Sequence, residues 1–191
     1  PRTDGDLVRR AQRGDDDAYG LLVSRYMRSA YAVALSVTGK HEDAEDAAQE
    51  SLLVALKRIE ECREPDRFAG WLMTIVRNRS RNLLRREGLR TTGEIPLGTA
   101  GSDPLPDQEL VRTRLREDLE GALAELSEVQ REIVLLHDYV GWKHREIADR
   151  LDMPSGTVRS HLHFARKTLR KRLTPRREKD SNAPRRGAAD G

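Results

Sequence analysis

Six residues near the C-terminus, Arg159, Ser160, His163, Phe164, Arg166 and Lys167, have the types and spacing to touch DNA. Hydroxyl, imidazole and guanidinium donors can reach base edges, and the cations can neutralise phosphates. At about 100° per residue, Ser160, His163, Phe164 and Lys167 share one side of a helix, with Arg159 and Arg166 on its flank. Such a surface needs a buried back. Val158, Leu162, Ala165, Leu169 and Leu173 recur at helical spacing on the opposite side. A shorter helix precedes it, from about Lys143 to Leu151, burying Ile147, Ala148 and Leu151. Asp152-Met153-Pro154 breaks that helix, and Ser155 is placed to cap the next one. Two helices, a tight turn and a cationic second helix make a helix-turn-helix suited to the major groove. The plainer alternative, a basic amphipathic helix in an ordinary bundle, leaves the turn unexplained.

A second group carries the opposite charge. Within HEDAEDAAQESLLVALKRI, alanines and leucines line one side of a helix. Asp43, Asp46, Glu50 and Leu53 fall on the other, with Gln49 near its edge. Acids alone would be an ordinary solvated face. Leu53 among them points to a protein interface whose partner supplies cations. Phosphates repel this surface, so it is not the DNA side.

Other reactive residue types are sparse or badly placed. His161 and His163 are two apart and share no helix face, a poor metal pair, and His41, His137 and His144 are scattered along the chain. The single cysteine, Cys62, excludes an internal disulfide and a cysteine-rich zinc site. It reads as an inert thiol, responsive to oxidants only if its thiolate were stabilised, for instance by Arg63. No nucleophile–base pair, phosphate loop or paired-carboxylate arrangement stands out, so neither catalysis, cofactor nor metal is expected.

Periodic segments set out the scaffold. Leu22, Tyr26, Ala30, Val33 and Val37 form one stripe, closed by Gly39 as a C-terminal cap. Ala44, Ala48, Leu52, Ala55 and Ile59 form a second. Phe68, Leu72, Ile75, Val76 and Leu83 form a third, interrupted by Arg79 and Asn82. Between Thr91 and Gln108 the period is lost in a run rich in Gly, Pro, Thr and Ser, a linker able to span roughly 60 Å when extended. Helices resume near Leu110, where Leu115, Leu119, Leu123 and Leu126 lead to a Ser127–Gln130 capping-box pattern. After Leu173 the tail is polar and is expected to be disordered. The fold class is therefore all-α: two small helical domains, 1–90 and 110–174, a linker 91–109 and a basic tail 175–191. Aromatics make up 4 % of the chain and charged residues 35 %, which fits helices rather than a β-sandwich. No run is apolar enough for a membrane span and no secretion signal is visible, so a cytoplasmic protein without membrane insertion is expected.

DAEDAAQESLLVALKRI, then FAGWLMTIVRNRSRNLLRR, the linker, and LSEVQREIVLLHDYVGWKHREIADRLDMPSGTVRSHLHFARKTLR together resemble a bacterial RNA polymerase sigma factor of the extracytoplasmic-function group, a sigma-70-like family. The resemblance runs in order from Leu7 to Leu173. It implies a promoter-specificity subunit that binds the β′ and β subunits of core RNA polymerase and directs transcription initiation. Asp43, Asp46, Gln49, Glu50 and Leu53 would grip the polymerase. The same domain would melt and read the −10 element through the loop Cys62–Arg67, with Arg63, Arg67, Arg77, Asn78, Arg81 and Arg85 on DNA. The helix-turn-helix would read the −35 element. Linker acids such as Glu94, Asp103 and Asp107 would suit mimicry of nucleic acid in the polymerase cleft. Family members are commonly held inactive by an anti-sigma factor, and Leu53 and Phe164 are candidate contacts for one. Trp71 reads as a core residue, so strand opening would rest on base capture rather than an aromatic platform. This chain departs from the family at Ser51-Leu52-Leu53, where an aromatic often follows Gln-Glu, and near Asn82, where a common aspartate is absent. Phe164 stands where many members carry Arg; it cannot bond guanine in bidentate fashion but can touch a thymine methyl. The rival reading is a dimeric helix-turn-helix regulator acting on an operator without polymerase. It explains the C-terminal half, but neither the acidic helix, the basic RNRSRNLLRR helix nor the linker. A scaffold protein with no DNA role leaves the cationic helix unexplained.

Overall fold

The computed structural model describes residues 3–91 and 107–174. Every regular element among them is helical: α1 (Asp4–Ala11), α2 (Asp16–Thr38), α3 (His41–Lys57), α4 (Phe68–Thr91), α5 (Asp107–Ala124), α6 (Glu128–Val134), α7 (His144–Leu151) and α8 (Ser155–Leu173). Two short 3-10 turns, Ile59–Glu61 and Pro65–Arg67, separate α3 from α4, and a π-helical segment, Leu135–Val140, continues α6.

Local chemistry explains most of the boundaries. Thr3 and Asp6 cap α1 reciprocally, Asp15 caps α2 by accepting from the Ala18 N–H, and Ser127 with Gln130 forms the expected capping box of α6. Gly39 ends α2 at φ 73°, a left-handed conformation that a Cβ would penalise. Two expectations need correction. Ser155 is the first residue of α8 and caps nothing; Pro154 holds the cap position, and its fixed φ suits the approach to a helix. The break before it is made by Asp152 at φ 51°. Next, α5 begins at Asp107, inside the expected linker. Residues 92–106, including Glu94 and Asp103, and the tail 175–191 lie outside the described residues.

In the N-terminal domain, α2, α3 and α4 pack on one another with α1 laid across α2. The predicted stripes turn inward, with Leu22, Tyr26, Ala30, Val33, Ala44, Ala48, Leu52, Ala55, Phe68, Leu72 and Val76 buried, although Leu83 at the end of the third is only half-buried. Each large apolar side chain so buried contributes about 1.5–3 kcal/mol. The Tyr19 hydroxyl reaches inward to donate to the Leu52 carbonyl at 2.5 Å, and burial pushes its pKa up to about 12. In the C-terminal domain Leu123, Leu126, Ile133, Leu136, Ile147, Val158, Leu162 and Ala165 form the core. Leu115 and Leu119 do not join it, contrary to the predicted stripe; Leu115 is 66 % exposed. The core starts one turn later at Leu123, and just beyond the end of α5 Glu125 pairs with Arg172 of α8 at 3.2 Å.

The two domains touch. Helix α2 lies against α6 and the π-helical segment, and their buried residues form one continuous cluster. Tyr31 and Tyr139 meet edge to face at 5.9 Å, and the Arg28 guanidinium sits 4.7 Å from the Tyr139 ring centre.

Candidate nucleic-acid and protein interfaces

The acidic face is built as its spacing requires. Ala44, Ala47, Ala48, Ser51 and Leu52 pack α3 inward, which turns Asp46, Gln49, Glu50 and Leu53 to solvent. Leu53 is 61 % exposed beside the carboxylates. Asp43 is only half exposed, and one of its carboxylate oxygens is buried without a hydrogen-bond partner among the described residues. Sequence spacing did not show that Arg79, read above as an interruption of α4, reaches across to pair with Glu50. One carboxylate of the face is thereby held in place.

The loop before α4 is more constrained than its composition implied. Helix α1 clamps it: Gln12 Nε2 donates to the carbonyls of Ile59 at 3.0 Å and Cys62 at 3.1 Å, and Arg9 lies 3.7 Å from Asp66. Asp66 also lies over Gly5, with its exposed carboxylate end 2.0 Å from where a Cβ would stand. The result is a hollow of about 310 Å³ lined by Glu61, Cys62, Arg63, Glu64, Arg67, Gly70 and Trp71. Trp71 packs on Phe68 at 5.8 Å, as a core residue should, and also lines the hollow. Sequence reasoning assigned it only the first role. Cys62 is buried, and burial together with Glu64 pushes its thiol pKa up, the opposite of what a reactive thiolate needs.

Spacing puts Arg77, Arg81 and Arg85 on one side of α4, but the C-terminal domain meets part of that side. Arg77 is 23 % exposed and bonds Glu132 of α6, while Arg81 bonds Glu128 at 3.0 Å. Asn78 and Arg85 are exposed. The sequence period placed the arginines correctly around the helix, but it carried no information on the second domain that meets them.

Helix α8 presents the expected surface. Arg159, Ser160, His163, Phe164, Arg166 and Lys167 are all exposed, and Phe164 is 56 % exposed with His163 edge to face at 5.6 Å. His144, Arg159, Leu162, His163, Arg166, Lys167 and Arg170 line a cationic hollow of about 590 Å³. Arg170 and His144 were not among the predicted contacts. Arg166 donates from Nε to Asp138 at 2.9 Å, which holds the Asp138 carboxyl below its ordinary pKa, with burial opposing and His137 assisting. His137 and His144, scattered in sequence, meet with ring centres 4.7 Å apart. Desolvation, then the neighbouring His137, Arg159 and Arg166, lowers the His144 pKa, so it favours the neutral ring. Among the described residues no group of three or more His, Cys, Asp or Glu is arranged to hold a metal ion, and no helix is long and apolar enough to cross a membrane.

An acid face on one helical domain and a cationic helix-turn-helix on the next define a DNA-binding protein that also docks on another protein. Family comparison agrees at both ends. Residues 22–90 match sigma-70 region 2, and residues 116–169 match sigma-70 region 4. The chain is 31 % identical over 183 residues to the ECF RNA polymerase sigma-E factor of Haemophilus influenzae, covering 91 % of this chain and 96 % of that one. It is 31 % identical over 182 residues to the RNA polymerase sigma-H factor of Pseudomonas aeruginosa, covering 90 % and 94 %. Among solved structures it resembles CnrH in complex with the cytosolic domain of CnrY, at TM-score 0.61 and 25 % identity, covering 88 % of this chain and 95 % of that one. It also resembles the sigma factor RpoE in complex with the anti-sigma factor NepR from Bartonella quintana, at TM-score 0.56 and 25 % identity, covering 81 % and 96 %. The chain belongs to the extracytoplasmic-function group of sigma-70 factors.

Proposed function

We propose that this sigma factor works by dividing its surfaces: α3 grips core RNA polymerase, the α1-clamped loop and α4 take the −10 element, and α8 takes the −35 element. The single observation that carries this reading is the placement of opposite charges. Asp46, Glu50 and exposed Leu53 lie on one domain, and Arg159, His163, Arg166 and Lys167 lie on the other. A basic partner surface and a phosphate backbone cannot exchange these sites, because each would meet its own sign.

Within the −10 reading, Arg63 and Arg67 border the hollow before α4, and Trp71 forms one wall. Extruding a base costs a few kcal/mol, which an aromatic wall and flanking guanidiniums can recover through stacking and base-edge hydrogen bonds. Asn78 and Arg85 stand exposed along α4, with Arg77 just before Asn78 and Arg81 between the two. On α8, Arg159 and Lys167 are the phosphate cations, and Phe164 offers an apolar contact to a thymine methyl. The protein acts in the cytoplasm on polymerase and performs no catalysis of its own. An anti-sigma factor controls it, with Leu53 and Phe164 among the contacts; the relative from Bartonella quintana is in complex with such a partner. A dimeric operator-binding regulator has no use for the acid face or the clamped loop.

The test is transcription and gel shift on promoter DNA with and without core polymerase. Tight, specific promoter binding is expected only with core enzyme. Asp46→Lys combined with Glu50→Lys should abolish capture of core enzyme while circular dichroism stays unchanged, since both side chains face solvent. Undiminished capture would remove the role given to α3, and strong binding of a two-fold operator by the protein alone would restore the regulator reading.

A further inference from the structure

The arginines of α4 lie where the two domains meet. Arg77 bonds the Glu132 carboxylate, and its Nε is 3.9 Å from Glu128. Arg81 Nη2 is 3.0 Å from the same Glu128. Both pairs are four residues apart on their helices, so two guanidiniums one turn apart face two carboxylates one turn apart. The inner pair is well buried: the Glu132 side chain is 2 % exposed, with Arg150 on its other side at 3.5 Å. Around this joint polar and aromatic contacts border the apolar cluster that α2 shares with α6 and the π-helical segment. Glu120 accepts from the His41 N–H at 2.7 Å, and Arg28 covers the Tyr139 ring.

Guanidiniums bind carboxylate and phosphate with the same planar fork of donors. We propose that Glu128 and Glu132 are a built-in competitor for the opened DNA strand. In the free protein they draw the C-terminal domain over α4 and occupy Arg77 and Arg81, so that these cations reach phosphate only after the domains part. This rests on the reading of Arg77 and Arg81 as −10 contacts. The joint suits reversible use. Its outer ion pair, Arg81 with Glu128, is half exposed, so it exchanges readily with other partners and weakens with salt. Closure also lowers apparent DNA affinity by the fraction of molecules that are open. Weak promoter binding by the free protein then follows from its own carboxylates.

The full chain carries the test. Nitroxide labels on Ser24→Cys and Ala124→Cys, both exposed, report the interdomain distance in a Cys62→Ser background. The parent should give one short, narrow distance. Arg28→Ala with Glu128→Gln should broaden and lengthen it, and should tighten binding of a fluorescent single-stranded −10 oligonucleotide on the order of tenfold. Neither substitution touches a proposed DNA contact. Glu132 is spared because its loss would also strand Arg150 inside the C-terminal domain. A broad distance distribution in the parent overturns closure. A distribution that opens with no gain in oligonucleotide affinity overturns the competition. The underlying reading is checked separately: if Arg77→Ala with Arg81→Ala leaves strand opening by the polymerase complex unchanged, those arginines are not −10 contacts, whatever the labels report.

Discussion

Helices α4 and α8 are both arginine-rich, yet they offer their charge in opposite ways. On α8 the cations stand on the solvent side of a buried Val158–Leu162–Ala165 back, and only Arg166 among the predicted contacts bonds an acid, Asp138. On α4 the corresponding Arg77 and Arg81 are taken by Glu132 and Glu128 of the other domain, and Arg79 by Glu50. The contrast teaches that a basic helix is a nucleic-acid surface only when its neighbours leave it one. In α8 a single domain decides that. In α4 two domains do.

The sharpest way to break the comparison is to attack the buried side of the joint. Glu132→Ala leaves the Arg150 guanidinium, 6 % exposed, without its carboxylate. Burial already pushes the Arg150 pKa down, and Glu132 is the group that opposes it. Removing it should cost about 3–5 kcal/mol in urea melts. Glu128→Ala, at the solvent-exposed end of the same joint, should cost less than about 1 kcal/mol. Equal effects would mean that burial does not distinguish the two acids.

Next comes the open surface of α8. Arg159→Ala with Lys167→Ala should leave stability within about 0.5 kcal/mol, since neither side chain is buried. Binding of −35 duplex by the polymerase complex should weaken, and the slope of log K against log salt should fall by roughly two, one for each phosphate released. A slope that does not move would place the phosphates elsewhere.

The smallest effect concerns the one tethered cation of α8. Asp138→Asn should lower stability at neutral pH by less than about 1 kcal/mol, because the pair is half exposed. The sign follows from the lowered Asp138 pKa: its stabilisation is complete above the ordinary carboxylate range and disappears as pH falls through the lowered value. Parent and variant should therefore differ at pH 7 and converge in strong acid in parallel melts. A difference that grows toward acid would contradict the assigned cause.

The acid face and the −35 face were readable residue by residue because each depends on one helix. Once Ala44, Ala48 and Leu52 face inward, Asp46, Glu50 and Leu53 must face out; the same logic sets Ser160, His163 and Lys167 opposite Val158 and Leu162. The loop before α4 was only half readable. Its position between two stripes was plain, but its shape comes from Arg9 on α1 and Gln12 just after it, some fifty residues earlier. The Leu115 and Leu119 stripe failed for a related reason: periodicity marks a face that can be buried, and no neighbour among the described residues covers it.

By itself, then, the amino-acid order determined the helices, their caps at Thr3, Asp15, Gly39 and Ser127, and the direction in which each charged side chain leaves its helix, since these are set within a few residues by backbone geometry and hydrogen bonding. Only the tertiary structure decided which charges stay available. Arg77, Arg79 and Arg81 meet acids 55, 29 and 47 residues away, contacts that no local period encodes and that form only when separate helices pack.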